Sequence, residues 1–423
     1  MTHARVVIIG GGIAGCSVAY HLVKLGWRDV VLLERKQLTS GTTWHAAGLI
    51  GRLRGSRTMA GLVRYSAELY ARLEAETGVS TNWKQVGSLG VARRAARMTQ
   101  FRRSVALGRY AGIEAHIVDR DDVRRRWPLC RIDDLEGGIW IPHDGRVIPA
   151  DTTQALAAGA RAGGARIMED TAVREVLTRD GRVAGVRTSA GEIACEIVVN
   201  CAGMWARELG ALNGVTIPVF PVEHFYAVTR PIAGVSPDLP VLRDYDGHIY
   251  VREEVGGLLF GGFEPVAKPW HERVPDDFAF GTLKEDWEQF RVLMDNGSSA
   301  SPRSRRRRSS SCSTAPRASR PTAASSSARR RACAGTSSPP ASTRVGSRTR
   351  AGPAARSPSG SSAATCRWTS GRWIRAASRR STASHAFSPS ACVRCRDSTT
   401  GWRGRSASTK RGAACSAQRS TTV

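Results

Sequence analysis

The chain has 423 residues, enough for two or three domains with full cores, and its formal charge of +27 would ordinarily point to nucleic acid or an anionic surface. That charge is localised: residues 298–423 hold 26 Lys and Arg against one acid, Asp397, which leaves residues 1–297 near neutral. No apolar run approaches the roughly 18 residues of a membrane span, and the four scattered cysteines of the body, Cys16, Cys130, Cys195 and Cys201, argue against a disulfide framework.

An apolar strand opens almost at once, so no cleavable targeting segment is expected and the expected location is cytoplasmic. Residues 5–9, RVVII, are continuous and β-branched, as in a strand buried on both faces. The next six residues match G-x-G-x-x-G at Gly10, Gly12 and Gly15, and Ala14, Val18, Leu22 and Leu25 keep helical spacing up to Gly26. A second run, Val30 to Leu33, ends in Glu34, where a carboxylate meets a ribose hydroxyl. Gly10 permits the tight turn, Gly12 admits a pyrophosphate to the backbone, and Gly15 lets helix and strand pack closely. The helix N-terminus then stabilises the phosphate charge. Tyr20 and His21, inside this helix, are expected to pack rather than react.

Glu34 suits either NAD or FAD, since both carry an adenosine ribose. The residues after Glu34 discriminate between them. Arg35-Lys36 leads into the small-residue loop TSGTTWHAAG at 39–48, containing Thr42, Thr43 and His45, and not into another βα unit. A long cofactor can lie along such a loop, which favours FAD.

Further on, HFYAVTR and HIYVREE alternate, and GGLLFGGFE comes after them. These predict adjacent strands of a second, mainly antiparallel layer over the cofactor. Alternation puts His224 and Tyr226 on one face, and likewise Tyr250 and Arg252. These are candidate site groups, and either Arg252 or Arg243 offers a bidentate partner for a carboxylate. No metal site is expected.

The stretch ERKQLTSGTTWHAAGL, with GVSTNWKQVGSLGVA at 78–92, IPHDGRVIPADTTQALAAGARAGGA at 141–165, IVVNCAGMWARELG at 197–210 and PVEHFYAVTRPI beyond, resembles the dimethylglycine/sarcosine dehydrogenase branch of the glycine-oxidase/D-amino-acid-oxidase flavoproteins. The matches cover nearly all of residues 5–295. The longer members' folate-binding extension has no counterpart. The resemblance implies an α/β fold: a Rossmann-type FAD domain, about 1–77 and 145–215, interleaved with an antiparallel β-rich substrate domain, about 78–144 and 216–297. It implies oxidation of a small N-methyl amino acid of the sarcosine or dimethylglycine class by hydride transfer to flavin N5, with the electron acceptor open. His45 matches the histidine that bonds covalently to the flavin 8α-methyl. Val173 falls on the strand whose backbone reads the adenine. Ala202 and Gly203 end a second strand that approaches the cofactor, Cys201 is structural, and RVAGVRTSAGEIACEIVVN matches a β-meander.

The tail reads differently. Ile374 is its only Leu, Ile or Met in residues 298–423, too little apolar surface to offset chain entropy, so disorder is expected. An Arg/Ser-rich nucleic-acid tail and a solvated linker are two readings, the first predicting steeply salt-dependent binding lost on deleting 298–423. Translation in the wrong frame fits better. If one base is missing near Gly297, STAPRASRPTAASSSARRR at 313–331 permits LNGPESFTPDGRFILGEAP in the shifted frame, and residues 336–352 permit YFVAAGFNSRGIANAGG. Both look like strands and glycine turns, which random recoding rarely yields. On this reading Cys392-x-x-Cys395 is an accident, and a lone CxxC is weak for zinc in any case. The flavin-closing segment would then be missing from this chain, leaving it inactive.

Overall fold

The computed structural model describes residues 3–270, 273–300, 309–319, 328–329 and 336–338. All of them fall in one compact unit, residues 1–377. In chain order, β1 (His3–Ile9), α1 (Ile13–Lys24), β2 (Val30–Leu33) and β3 (Leu49–Ile50) lead to α2 (Arg57–Thr77). Then come β4 (Ser88–Ala92), α3 (Ala95–Tyr110), β5 (His116–Val118), α4 (Arg120–Arg126), β6 (Gly137–Ile141) and β7 (Gly145–Arg146). Next are α5 (Pro149–Ala162), β8 (Arg166–Met168), β9 (Val173–Arg179), β10 (Arg182–Thr188), β11 (Gly191–Asn200) and α6 (Ala206–Ala211). The body ends with β12 (Phe220–Thr229), β13 (Val241–Asp244), β14 (Ile249–Glu254), β15 (Gly257–Gly262) and α7 (Trp287–Ala300).

The first sheet places β1 between β11 and β2, all parallel, with β8 parallel beyond β2. The whole of β2 is buried, as its unbroken apolar run requires when both faces are covered. One face carries the core shared with α1, α2 and α5, built on Ile8, Cys16, Tyr20, Tyr70 and Leu156. The other face, with Val7, Val31, Leu33 and Val198, packs under the β9–β10–β11 meander. His21 is buried inside α1 and bonds Ser17 and the Tyr65 hydroxyl, a packing role.

The second sheet runs β12–β15–β14–β13–β4–β6–β5 and is antiparallel except where β13 meets β4. Its order corrects one expectation. HFYAVTR and HIYVREE are not direct neighbours: β15, GLLFGG, lies between them, because β14 and β15 form a hairpin and β12 adds to the hairpin's far edge. The α-helices α3 and α4 back the β4–β6 part through Phe101, Val105, Val123 and Trp127.

Three tail segments are strands. Residues 309–319 (β16) pair antiparallel with β12, 336–338 (β18) pair parallel with β11, and 328–329 (β17) pair with β18. The expected disorder, the nucleic-acid reading and Cys392-x-x-Cys395 otherwise fall outside the described residues.

Candidate functional site

The turn after β1 is built backbone against backbone. Gly10 has φ +110°, a conformation open to glycine at little cost, and its N–H donates to Leu33 O at 2.8 Å. A Cβ on Gly15 would fall inside the Gly10 carbonyl oxygen, far closer than the 3.0 Å that real Cβ atoms respect. Helix α1 therefore starts in direct contact with β1, aimed at the loop that comes after β2. Gly12, at its N-cap, supplies no side-chain cap. The hydroxyl of Thr43 accepts from Ile13 N–H at 3.1 Å instead, so the 39–48 loop itself closes the helix start. Ala14 lies half-buried in this first turn.

Glu34 is buried at the end of β2 and accepts from Gly11 N–H at 2.6 Å and Lys36 N–H at 3.0 Å. Burial pushes its carboxyl up from the ordinary range, while these N–H bonds and Arg35 pull it back. Arg35 lies 3.8 Å over the Trp205 ring and donates to Phe278 O at 2.6 Å. The loop is strained where it turns: Thr39, β-branched and buried, has φ 72° and is held by its N–H to Gly11 O. Thr42 is half-buried beside it.

His45 is 7% exposed, and its ring lies 3.9 Å from that of Trp44. Its Nε2–H donates to Gly281 O at 2.8 Å, which leaves the imidazole lone pair on Nδ1, buried and without a hydrogen-bond partner among the described residues. Desolvation pushes its pKa down to about 4, so the ring is neutral at working pH. Phe280 adds a ring contact to Trp44 at 5.7 Å, and its N–H donates to Ser40 O. Sequence reasoning missed this clamp of Phe278, Phe280 and Gly281. Its bonds run largely through main-chain atoms, and DDFAFGT has no period to reveal them.

Cys201 is buried, with its Cβ and backbone against the glycine turn at Gly10 and Gly15. Ala202 and Gly203 lie after β11 beside that turn, and Gly203 has φ +56° with open space where a Cβ would be. Val173 begins β9, after Thr171 N–H donates to Glu34 O, so it lies on the Glu34 side of the sheet. The residues fit an elongated dinucleotide. A glycine turn and helix N-terminus sit at one end, and Glu34 stands beside them. The small-residue loop carries two buried ring nitrogens without hydrogen-bond partners among the described residues, Trp44 Nε1 and His45 Nδ1.

The second sheet faces this loop. Leu49 and Ala47 pack against Val241, Tyr250, Leu259, Tyr226, Val228 and Phe263. Register puts Tyr226, Gly261, Tyr250 and Arg243 in one row across four strands, hence on one face. A Cβ on Gly261 would lie 2.7 Å from the Tyr250 hydroxyl. The missing side chain lets that phenol reach across to β12, where its oxygen lies 2.9 Å from His224 Nε2. His224 also stacks on Phe263 at 5.3 Å. Arg252, by contrast, is turned into a buried ionic group: it pairs with Glu254 and donates to Glu253 O, while Glu253 pairs with Arg146.

Comparison with known proteins bears on this geometry directly. The family described as "FAD dependent oxidoreductase" (DAO) matches residues 5–336. Human mitochondrial sarcosine dehydrogenase is 42% identical over 305 residues, covering 71% of this chain and 33% of that protein. The mouse mitochondrial pyruvate dehydrogenase phosphatase regulatory subunit is 40% identical over 296 residues, covering 69% and 34%. The chain thus aligns with about a third of the length of these relatives. L-proline dehydrogenase from P. horikoshii has the same fold, with a TM-score of 0.74 at 24% identity over 83% of this chain and 91% of that one. With the glycine turn, Glu34 and the roofing sheet in place, these matches make the chain a member of the DAO family of FAD-dependent oxidoreductases.

Proposed function

We propose that the chain derives from an enzyme that oxidises small N-methyl amino acids of the sarcosine and dimethylglycine class, acting on the CH–NH bond. The observation that carries the reading is the His224–Tyr250 pair at 2.9 Å, set on the sheet face that covers the Ala47–Leu49 end of the flavin loop. Bound FAD would supply the two-electron acceptor. Gly10, Gly12, Ala14, Gly15, Glu34, Arg35, Thr42, Thr43, Val173, Ala202 and Gly203 hold it, and Tyr226, Tyr250, Phe263 and Leu259 exclude water from the substrate. With the reading frame restored beyond Gly297, anaerobic addition of sarcosine or dimethylglycine is expected to bleach the flavin absorbance. An unchanged spectrum of that frame-restored protein sinks the reading.

His45 is proposed as a covalent tether. His45 would hold the flavin through a ring nitrogen bonded to the 8α-carbon, and bound FAD would supply the electron-poor ring that makes that carbon reactive. A neutral imidazole with a buried, unpartnered nitrogen supports this. Flavin should stay with the wild-type protein through acid precipitation and be released from His45→Ala; acid-released flavin from both would refute the tether.

Similarity to a phosphatase regulatory subunit favours a second reading, in which the fold serves binding without turnover. Flavin that is bound but not reduced by any N-methyl amino acid is its signature.

The tail is proposed to be an out-of-frame product. The relatives align over 305 and 296 residues, close to the length of the near-neutral body. Sequencing the gene around the codon for Gly297 should reveal an open frame continuing the body. No such frame means that the tail is genuine.

A further inference from the structure

Three aromatic rings meet on the sheet face above the Ala47–Leu49 end of the flavin loop: His224, Tyr250 and Phe263. Phe263 directly follows β15, and its N–H donates to His248 O at 2.8 Å, which fixes the backbone that carries the ring. The ring centroid lies 5.3 Å from that of the His224 imidazole, with the planes 30° apart, and 5.9 Å from that of Tyr250 at 53°. Phe263 therefore presents a face, not an edge, to His224. Ala47, Leu49 and Leu259 pack in the same cluster, and His224 is 8% exposed, so water screens little of any charge that forms there.

A charge does form there under the amine-oxidation reading, on which its source rests. The proton of the substrate ammonium passes to the Tyr250 oxygen as the Tyr250 proton passes to His224 Nε2, leaving a neutral amine, an intact phenol and an imidazolium. Two neighbouring carboxylates are engaged elsewhere. Glu223, the preceding residue of β12, points to the opposite face and pairs with Lys268 at 3.1 Å. Asp144 lies beside Arg243, one strand beyond Tyr250. We infer that Phe263 is a positioning residue for this relay: the electron-rich face of its ring seats the imidazolium that His224 becomes. A cation within about 6 Å of an aromatic centroid is attracted by the ring quadrupole, and more strongly where both are desolvated. The neutral imidazole gains much less from the same face, so the ring favours the state in which the amine has lost its proton. Its contact with Tyr250 holds the donor of the relay against the same surface.

Histidine-ring NMR of the full chain across pH tests this without turnover, with His224→Gln assigning the resonance. Phe263 is replaced in turn by mono-, di- and pentafluorophenylalanine, which nearly keep the shape of the ring while draining negative charge from its face. The midpoint of the His224 titration is expected to fall in step with fluorination, by about half a pH unit to one unit at the end of the series. Phe263→Leu should match the pentafluoro variant, and Phe263→Tyr, which keeps the face, should stay near wild type. Because the fluorinated rings fill the same space, the series holds even where Phe263→Leu fails to fold. With the reading frame restored beyond Gly297, flavin reduction by sarcosine should slow at neutral pH in the same order of variants and recover at alkaline pH. A midpoint that stays constant across the series, or an imidazole that remains neutral from acid to alkaline pH, overturns the seat. A midpoint that follows fluorination, in a protein whose restored form is not reduced by sarcosine, would sink the oxidation reading and leave the seat standing.

Discussion

Gly15→Ala is expected to give a protein without flavin and less stable by at least about 3 kcal/mol, at the upper end of what overpacking costs. The added methyl has nowhere to go, because the atom it meets is the Gly10 carbonyl oxygen, fixed in the tight turn. Side-chain repacking cannot relieve a clash between two backbones. Relief requires α1 to slide away from β1, and that motion also withdraws Gly12 and the helix start from the phosphates. Gly26→Ala provides a contrast. Its φ of +87° carries strain, but no atom lies within 4 Å of the added Cβ, so stability should fall while flavin remains. Denaturant midpoints and the flavin-to-protein absorbance ratio read the two effects separately. Wild-type flavin content in Gly15→Ala would mean that the close helix–strand contact does not shape the cofactor site.

That contact was legible in the sequence because it is local. A buried strand, a glycine turn and a helix lie within 24 residues and each has its own period. The alternation of HFYAVTR and HIYVREE gave the correct faces for the same reason. Pairing order was not legible: alternation fixes which side a residue faces, not which strand lies beside it, and so β15 went unplaced between β12 and β14. Arg243 and Arg252 show the limit most sharply. Both lie on strands of one sheet and both are adjacent to acidic residues in sequence. Only the three-dimensional inventory of partners shows that Arg252 is ion-paired with Glu254, while Arg243 forms no ion pair among the described residues and lies beside the buried Asp144. The clamp on His45 belongs to the same class, since Gly281 acts through its carbonyl and any residue type has one.

Tyr250→Phe is expected to slow flavin reduction by an N-methyl amino acid roughly a hundred- to ten-thousand-fold at neutral pH, the usual range for losing a general acid–base group. The substrate amine, like a lysine side chain, is almost entirely protonated at that pH, and a protonated nitrogen has no electron pair to support loss of the C–H electrons. The proton must leave first. In the tautomer that leaves the His224 Nε2 lone pair free, Tyr250 donates its hydrogen there, its oxygen presents lone pairs to an amine N–H, and the 2.9 Å contact provides the onward path to the imidazole. Replacing the phenol interrupts that path while the ring still packs against Phe263 at about its present 5.9 Å. The deficit should therefore shrink as pH rises, because solution then supplies the neutral amine and the relay is no longer needed. His224→Gln should show the same slope, and the double variant should cost little more than either single one, as expected of two groups acting in series. Stopped-flow reduction rates across pH decide the matter. A deficit of constant size from neutral to alkaline pH would assign the pair a packing role and return the question of how the amine is deprotonated to the rest of the sheet face.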